Sequence, residues 1–556
     1  MKKSLLLILI ASCAAIAGPK LASDLPKSQS GVPVEVIVRF KAPPSQNDLK
    51  QFGPYGQIKH SYTAINAIHV AVPPALLPVL EAIPNVAYIS PNRSLHGALD
   101  ITTQAVNANL VWPLGYTGTG VGVAVVDSGI SAHPDLGSRV VYSQSFVSTE
   151  TTPADLFGHG THVAGIIGSS GASSIGPGFT RTFKGVAPNV NLINLKALDQ
   201  TGSGQESDVI AAIQAAIQLK SAYNIRVLNL SLGRPVFESY TLDPLCQAAE
   251  AAWNAGIVVV AAAGNSGRDN SMGTHGYGTI ASPGSDPYVI TVGATNAKGT
   301  PSVFDDVVAS YSSKGPTLVD HIVKPDLVAP GNGVVSLLSS TAATLYGHSS
   351  THVSNSFYES GLVLGTSNTY YKLSGTSMAT PVVSAAAALV IQQNPSITPD
   401  QVKARLMKTA RKTLPTFMTG IDSISLLSFG MQADIFTVGA GYLDINAALA
   451  SKDLISVLAL SPTVIFDATS GHVKLARTSL MAWSQDLVWG DDLVWGDDLV
   501  WGDSIFTGVM INGMDLIWGD SVVWGSPATT GFDVVWGDSV NTSMLPQATA
   551  DTDSDQ

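Results

Sequence analysis

The chain reads as an α/β protein whose main body is a three-layer domain on a parallel sheet. A small α+β unit precedes it and a Trp/Asp-repeat appendage follows it. Three observations carry that reading. Apolar runs of strand length recur at 121–126, 190–197, 225–230, 257–263 and 288–292. Helical patterns at 207–220 and 243–254 fall between them. The strand runs are continuous rather than alternating, which is the mark of strands buried on both faces by helices. The composition agrees: 45% of the 556 residues are hydrophobic and 13% charged, with 52 glycines, so the bulk of the chain packs tightly.

The elements before the sheet come in two pieces. Lys2 and Lys3, an apolar run at 5–10 and Ala15-Ile16-Ala17 make residues 1–17 a signal peptide, so the protein is expected to be secreted. Ile10-Ala11-Ser12-Cys13 also resembles a bacterial lipoprotein box, and the alternative is a lipid anchor on Cys13. No later stretch reaches the ~18 apolar residues of a membrane span. Residues 34–93 form a unit of their own, with strands at 34–40, 68–72 and 86–89 and a helix at 74–83. A small βαβ-rich unit between a leader and a larger domain suggests a pro-segment; an ordinary N-terminal domain is the alternative.

The main domain spans 100–450. After Gly375 comes a small-residue helix at 377–392, then a second helix opening at Thr398-Pro399-Asp400, and 441–446 closes the domain. The texture changes in the appendage, 457–556. Trp483, Trp489, Trp495 and Trp501 recur every six residues, with variants at Trp518, Trp524 and Trp536, before a polar tail of disordered composition. A half-ordered, sticky surface segment is the reading preferred over short stacked strands. Calcium on the paired Asp491-Asp492 and Asp497-Asp498 is the other option left open. From 451 to 556 there are 15 aspartates and three basic residues, which is the whole of the net charge of -12. The rest of the chain is neutral and offers no basic face, so nucleic acid is not expected as a partner. With two cysteines, Cys13 in the leader and Cys246 in a helix, a disulfide framework is excluded. Cys246 reads as a small core residue.

Chemistry concentrates in four short segments. Functional groups of an open parallel sheet collect beyond the carboxyl ends of its strands, and Asp127 closes Val123-Ala124-Val125-Val126-Asp127-Ser128-Gly129. Alone, it could equally cap a turn. His159 lies in Gly158-His159-Gly160-Thr161-His162-Val163-Ala164-Gly165, where a glycine-flanked loop enters a helix. Two histidines three apart could instead ligate a metal, but no third ligand follows at suitable spacing. Ser377, in Leu373-Ser374-Gly375-Thr376-Ser377-Met378-Ala379-Thr380-Pro381, opens a helix whose free N–H groups favour an anion. Asn265 follows a buried strand in Ala261-Ala262-Ala263-Gly264-Asn265-Ser266-Gly267. A serine at a helix start is usually an N-cap, and an asparagine beside glycine a turn residue.

Together the Asp, His and Ser segments closely resemble the motifs of the subtilisin family, in the same chain order. The resemblance covers the pro-segment and residues 100–450, not the appendage. It implies a subtilisin-like catalytic domain and a small inhibitor-like pro-domain, removed near 92–100 and acting as an intramolecular inhibitor. It implies a serine endopeptidase acting on proteins or peptides, with Ser377 as nucleophile, His159 as general base and Asp127 as its orienting acid. Asn265 matches the family's oxyanion residue, and His162 a structural position. Ser231, Leu232, Gly233, Ala263 and Gly264 match strands lining the substrate pocket, with Ala281 at its base. None of these is acidic, so medium or large apolar side chains are expected before the scissile bond. No cofactor is required for the chemistry.

The chain also departs from the family. The segment between Gly165 and Gly185 lacks an evident run of Asn ligands, which puts the family's strong calcium site in doubt, although Asp135 matches one of its ligands. Structural calcium therefore stays open. The stretch 334–371, long and rich in Ser and Thr, is expected to be a surface loop beside the active site. A surface or adhesion protein on an inactive peptidase fold is the main rival reading. A lipase or esterase is disfavoured because its chain order is Ser, Asp, His.

Overall fold

A computed structural model describes residues 99–467 apart from 270, 272, 273, 362, 413, 416 and 422–427, and residues 33–91 apart from 53, 55–57 and 63–65. It also describes 20, 21, 25, 472–476, 516–518, 522–524 and 545–546. The leader with Cys13, the repeats from Trp483 to Trp501 with their paired aspartates, and Trp536 lie outside the described residues. The chain divides into two compact units, 1–95 and 96–556.

In the first unit, β1 (Val34–Phe40), α1 (Gln46–Phe52), β2 (Ile58–Tyr62), β3 (Ala67–Val72), α2 (Leu77–Glu81) and β4 (Val86–Pro91) follow in order. The strands make one antiparallel sheet ordered β2-β3-β1-β4. Each βαβ turn is thus split by a strand from the other, the β-α-β-β-α-β arrangement. Alternation builds its core: Val36, Val38 and Phe40 point inward from β1, and Ile68, Val70 and Val72 from β3. Sequence patterning missed α1 and β2, which carry little apolar periodicity.

The second unit opens with α3 (Leu99–Ala105) and α4 (Ala108–Val111), then β5 (Gly122–Asp127) and β6 (Val140–Ser145). α5 (His159–Gly168), β7 (Asn191–Lys196), α6 (Glu206–Tyr223), β8 (Ile225–Leu230) and the two-residue β9 (Leu232–Gly233) follow. Next come α7 (Pro244–Asn254), β10 (Val258–Ala262), β11 (Ile290–Asn296), β12 (Val307–Val308) and β13 (Leu327–Pro330). Eight of these strands form one sheet ordered β12-β11-β10-β8-β5-β7-β6, with β13 beside β11. Every pairing is parallel except that of β12. All six residues of β5 are buried, as a strand covered on both faces requires. α6 and α7 pack together over one part of the sheet; α5 packs on α8 (Thr376–Gln393), which crosses β8, β10, β11 and β13. The expected parallel α/β core is present. The run at 288–292 became β11, displaced two residues and extended to Asn296, because main-chain pairing to β10 and β13 carries it through buried polar Thr291 and Thr295.

The expected surface loop at 334–371 is corrected. It folds as an antiparallel sheet of β14 (Val334–Leu337), β16 (Thr366–Leu373) and β15 (His352–Ser354), in that spatial order. Tyr346, Tyr358, Tyr370 and Tyr371 are buried in it, and Tyr370 meets Phe183 edge-on at 4.6 Å between centroids. Aromatic burial, hidden within a Ser/Thr-rich composition, joins the segment to the core of the main domain.

After α9 (Pro399–Lys408), capped by Thr398 and Gln401, the chain runs past Ala450 and stays attached. Ser461 Oγ donates to Asp326 at 2.5 Å, and Lys403 Nζ reaches both. Within the appendage, Leu516–Trp518 and Val522–Trp524 pair as an antiparallel ribbon. Cys246 is fully buried in α7, as expected of a core residue, and burial pushes its thiol well above the usual range.

Candidate active site

Three elements of the second unit carry the predicted groups: Asp127 ends β5, His159 opens α5 and Ser377 lies in the first turn of α8, with α5 packed on α8. Asp127 ends β5, where the strand leaves the sheet and its carboxylate, 1% exposed, must find donors. Its Oδ1 accepts from the Ser128 N–H at 2.7 Å and lies 2.7 Å from His159 Nδ1. The imidazole therefore carries its proton on Nδ1, leaving Nε2 as the basic nitrogen. His159 is itself fully buried and is the first residue of α5. Gly158 before it sits at φ +110°, a conformation closed to most side chains, and a Cβ there would press on Tyr371 and Ala343.

Ser377 stands at the start of α8, buried, with Gly375 just before the helix. Its hydroxyl donates to the Ser231 carbonyl at 3.0 Å, and Ser231 Oγ donates back to the Ser377 carbonyl at 3.0 Å. His159 Nε2 has no hydrogen-bond partner. Thus the carboxylate–imidazole link is closed while the serine hydroxyl is turned to β9's approach. Asn265 lies on the other side of the helix start. Its Oδ1 accepts from the Thr376 N–H at 2.9 Å and the Thr376 hydroxyl at 3.1 Å. Anchoring the oxygen fixes which way the amide NH2 faces.

Several candidate pocket residues are linked by hydrogen bonds of their backbones. Leu232 and Gly233 make β9, followed by Arg234, which exchanges hydrogen bonds with Ser282. Ala281 N donates to the Ala263 carbonyl at 2.9 Å, and Gly264 N to the Thr376 hydroxyl at 3.2 Å. β9 pairs antiparallel with an extended segment of the same chain, Gly233 with Leu545 and Leu232 with Pro546.

His162, predicted structural, donates from Nε2 to the Val334 carbonyl at 2.9 Å and stands edge-on to Tyr371. Burial, with the His159 charge adding to it, pushes its pKa down to about 3, so it stays neutral. Asp155 was not anticipated. Its Oδ1 accepts from Ser128 Oγ at 2.8 Å and Gly158 N at 2.7 Å, its Oδ2 from Thr161 N at 2.8 Å. Ser128 Oγ in turn accepts from Gly160 N at 3.0 Å. One carboxylate thus clamps both sides of His159, and burial raises its pKa despite those donors. The signal was an Asp three residues before a loop glycine and six before a helical threonine, a capping pattern. Tyr371, from β16, adds a hydrogen bond to the Gly158 carbonyl.

The sequence comparisons agree with this architecture. Residues 118–431 match the model of the subtilase family of S8 peptidases. The chain is 39% identical over 398 residues to the serine protease AprX of Bacillus subtilis (strain 168), covering 68% of this chain and 83% of that one. It is 36% identical over 360 residues to subtilisin E of the same strain, covering 64% and 78% respectively. A solved cold-adapted subtilisin-like serine proteinase is 30% identical, covering 54% of this chain and 85% of that one at a TM-score of 0.39. The protein belongs to the subtilase family and is a serine-type endopeptidase.

Proposed function

We propose that the chain is an exported precursor peptidase that cleaves peptide bonds of proteins through an acyl-enzyme on Ser377. The observation that carries the reading is the buried 2.7 Å pair of Asp127 and His159, with Nε2 open, on a helix that packs against the helix opened by Ser377. An extended substrate would add a strand to β9, as Leu545 and Pro546 do, and set its scissile carbonyl near Ser377. The Ser377 hydroxyl rotates from the Ser231 carbonyl to His159 Nε2. Its oxygen attacks the carbonyl carbon as the proton passes to Nε2, and Asp127 stabilises the resulting imidazolium. The Asn265 amide and the Ser377 N–H donate to the oxyanion. Collapse breaks the C–N bond, the amine leaves with the proton from Nε2, and water repeats the sequence to release the acid and restore Ser377.

Lys2 to Ala17 has the composition of an export signal, which supports secretion. The split βαβ unit at 34–91 supports the role of a pro-segment that inhibits the domain until self-cleavage removes it. Small uncharged residues at Ala263, Gly264 and Ala281 support an apolar preference before the scissile bond. The test is a fluorophosphonate probe on the full chain beside Ser377→Ala, with intact mass and N-terminal analysis. Labelling confined to the parent and loss of an N-terminal segment ending near 92–100 only in the parent are the expected results. Labelling of Ser377→Ala, or no labelling of a folded parent, overturns the reading.

A further inference from the structure

Asp135 is the one residue here that matches a calcium ligand of the family, and its surroundings test whether a cation fits. The carboxylate is fully buried. Oδ1 accepts from the Ser173 N–H at 2.7 Å, and Oδ2 from the Tyr370 hydroxyl at 2.7 Å. Ser169 Oγ is 3.2 Å from Oδ2 and shares its proton with the Phe183 carbonyl at 2.7 Å. His133 Nδ1 is 3.9 Å from Oδ1, but it accepts the Asp135 N–H and so is unprotonated. The Asp135 carbonyl is also taken, by Ser170 N and by Arg139 Nη2.

Calcium needs six to eight oxygens with lone pairs turned inward. Around Asp135 both carboxylate oxygens instead meet N–H and O–H protons, and the cationic Arg139 donates to the same residue's carbonyl. The site does not fit the ion. The donors are also spread across the fold: Ser169 and Ser173 follow α5, whereas Tyr370 arrives on β16 from the long segment after Val334. Tyr370 additionally contacts Ser174 Oγ at 3.0 Å and packs against Phe183 and Tyr358.

We infer that Asp135 is held by the Ser173 amide and the Tyr370 hydroxyl in place of calcium, so that hydrogen bonds to β16 fasten the segment after α5. The inserted sheet then does for this chain what a metal does elsewhere in the family. Hydrogen bonds to a charged carboxylate are among the stronger ones, which suits a metal-free fastening.

The test measures Tm of the full chain, carrying Ser377→Ala against self-digestion, in excess chelator and in added calcium. Asp135→Asn and Tyr370→Phe are measured in the same background. The parent and Asp135→Asn are expected to respond to calcium alike, and Tyr370→Phe to lower Tm by roughly 2–4 °C in either buffer. A calcium response that survives Asp135→Asn arises elsewhere in the chain and supports the inference. A calcium-dependent rise in Tm that Asp135→Asn abolishes overturns it. So does a Tyr370→Phe protein whose Tm matches the parent's in chelator.

Discussion

Replacing Asp155 by Asn tests how the catalytic histidine is held. The two carboxylate oxygens accept three protons, from Ser128 Oγ, Gly158 N and Thr161 N, in a site 1% exposed. Asparagine offers one oxygen and one NH2. Facing the NH2 toward Thr161 sets two donors against each other; the opposite flip sets it against Gly158. In the second arrangement the Ser128 hydroxyl can accept one N–H through the lone pair that Gly160 N leaves free, but the Gly158 N–H still faces the NH2. Each stranded buried donor costs about 1–3 kcal/mol, so two cost roughly 2–6 kcal/mol. That corresponds to a drop in Tm on the order of 3–8 °C for a domain of this size. Gly158 and Thr161 bracket His159, and an error of about 1 Å in a catalytic group can cost ~10²-fold in rate. The assay is kcat and KM on an unfolded protein substrate, alongside calorimetry. A variant with kcat within twofold of the parent and an unchanged Tm would refute the clamp.

Two further outcomes follow from the same geometry. Asn265→Ala is expected to lower kcat about 10²–10³-fold with little change in KM, on the proposed role of its NH2 as a donor to the developing oxyanion, its Oδ1 being held by Thr376. A fall in KM-linked binding alone, read from full progress curves, would argue against that role. Asp286 bears on pH. Burial pushes its carboxyl up to about 7; one oxygen accepts from Tyr288 N, and the Glu250 carboxyl hydrogen-bonded to it opposes ionisation while Lys324 and Lys403 assist it. Its folded pKa lies above the unfolded value of about 3.9, so the folded state keeps a proton the unfolded chain has lost. Its contribution is fully present below about pH 4 and lost as pH rises toward 7. Asp286→Asn should therefore raise Tm at pH 8 and narrow the gap between pH 5 and pH 8; an unchanged gap counts against it.

Much of this protein was legible from local pattern. Continuous apolar runs announced β5, β7, β8 and β10, and Gly158-His159 and Gly375-Thr376-Ser377 announced two helix starts with chemistry on them. Such signals are local because a strand's burial and a helix's first turn are set by adjacent residues. The resemblance to a family then joined segments that spacing alone left ambiguous between catalysis, turns and metal ligation.

What pattern could not supply is which distant groups meet. Asp135 and Tyr370 are 235 residues apart, and Ser377 and the Ser231 carbonyl 146 apart. Asp155 is close to His159 in sequence, yet its role depends on Ser128 returning from β5. By itself the sequence determined the sheet, the helix starts and the kinds of side chain available for chemistry. Only the tertiary structure decided where each buried proton goes, because a hydrogen bond spans about 3 Å and is satisfied by whatever the fold brings there.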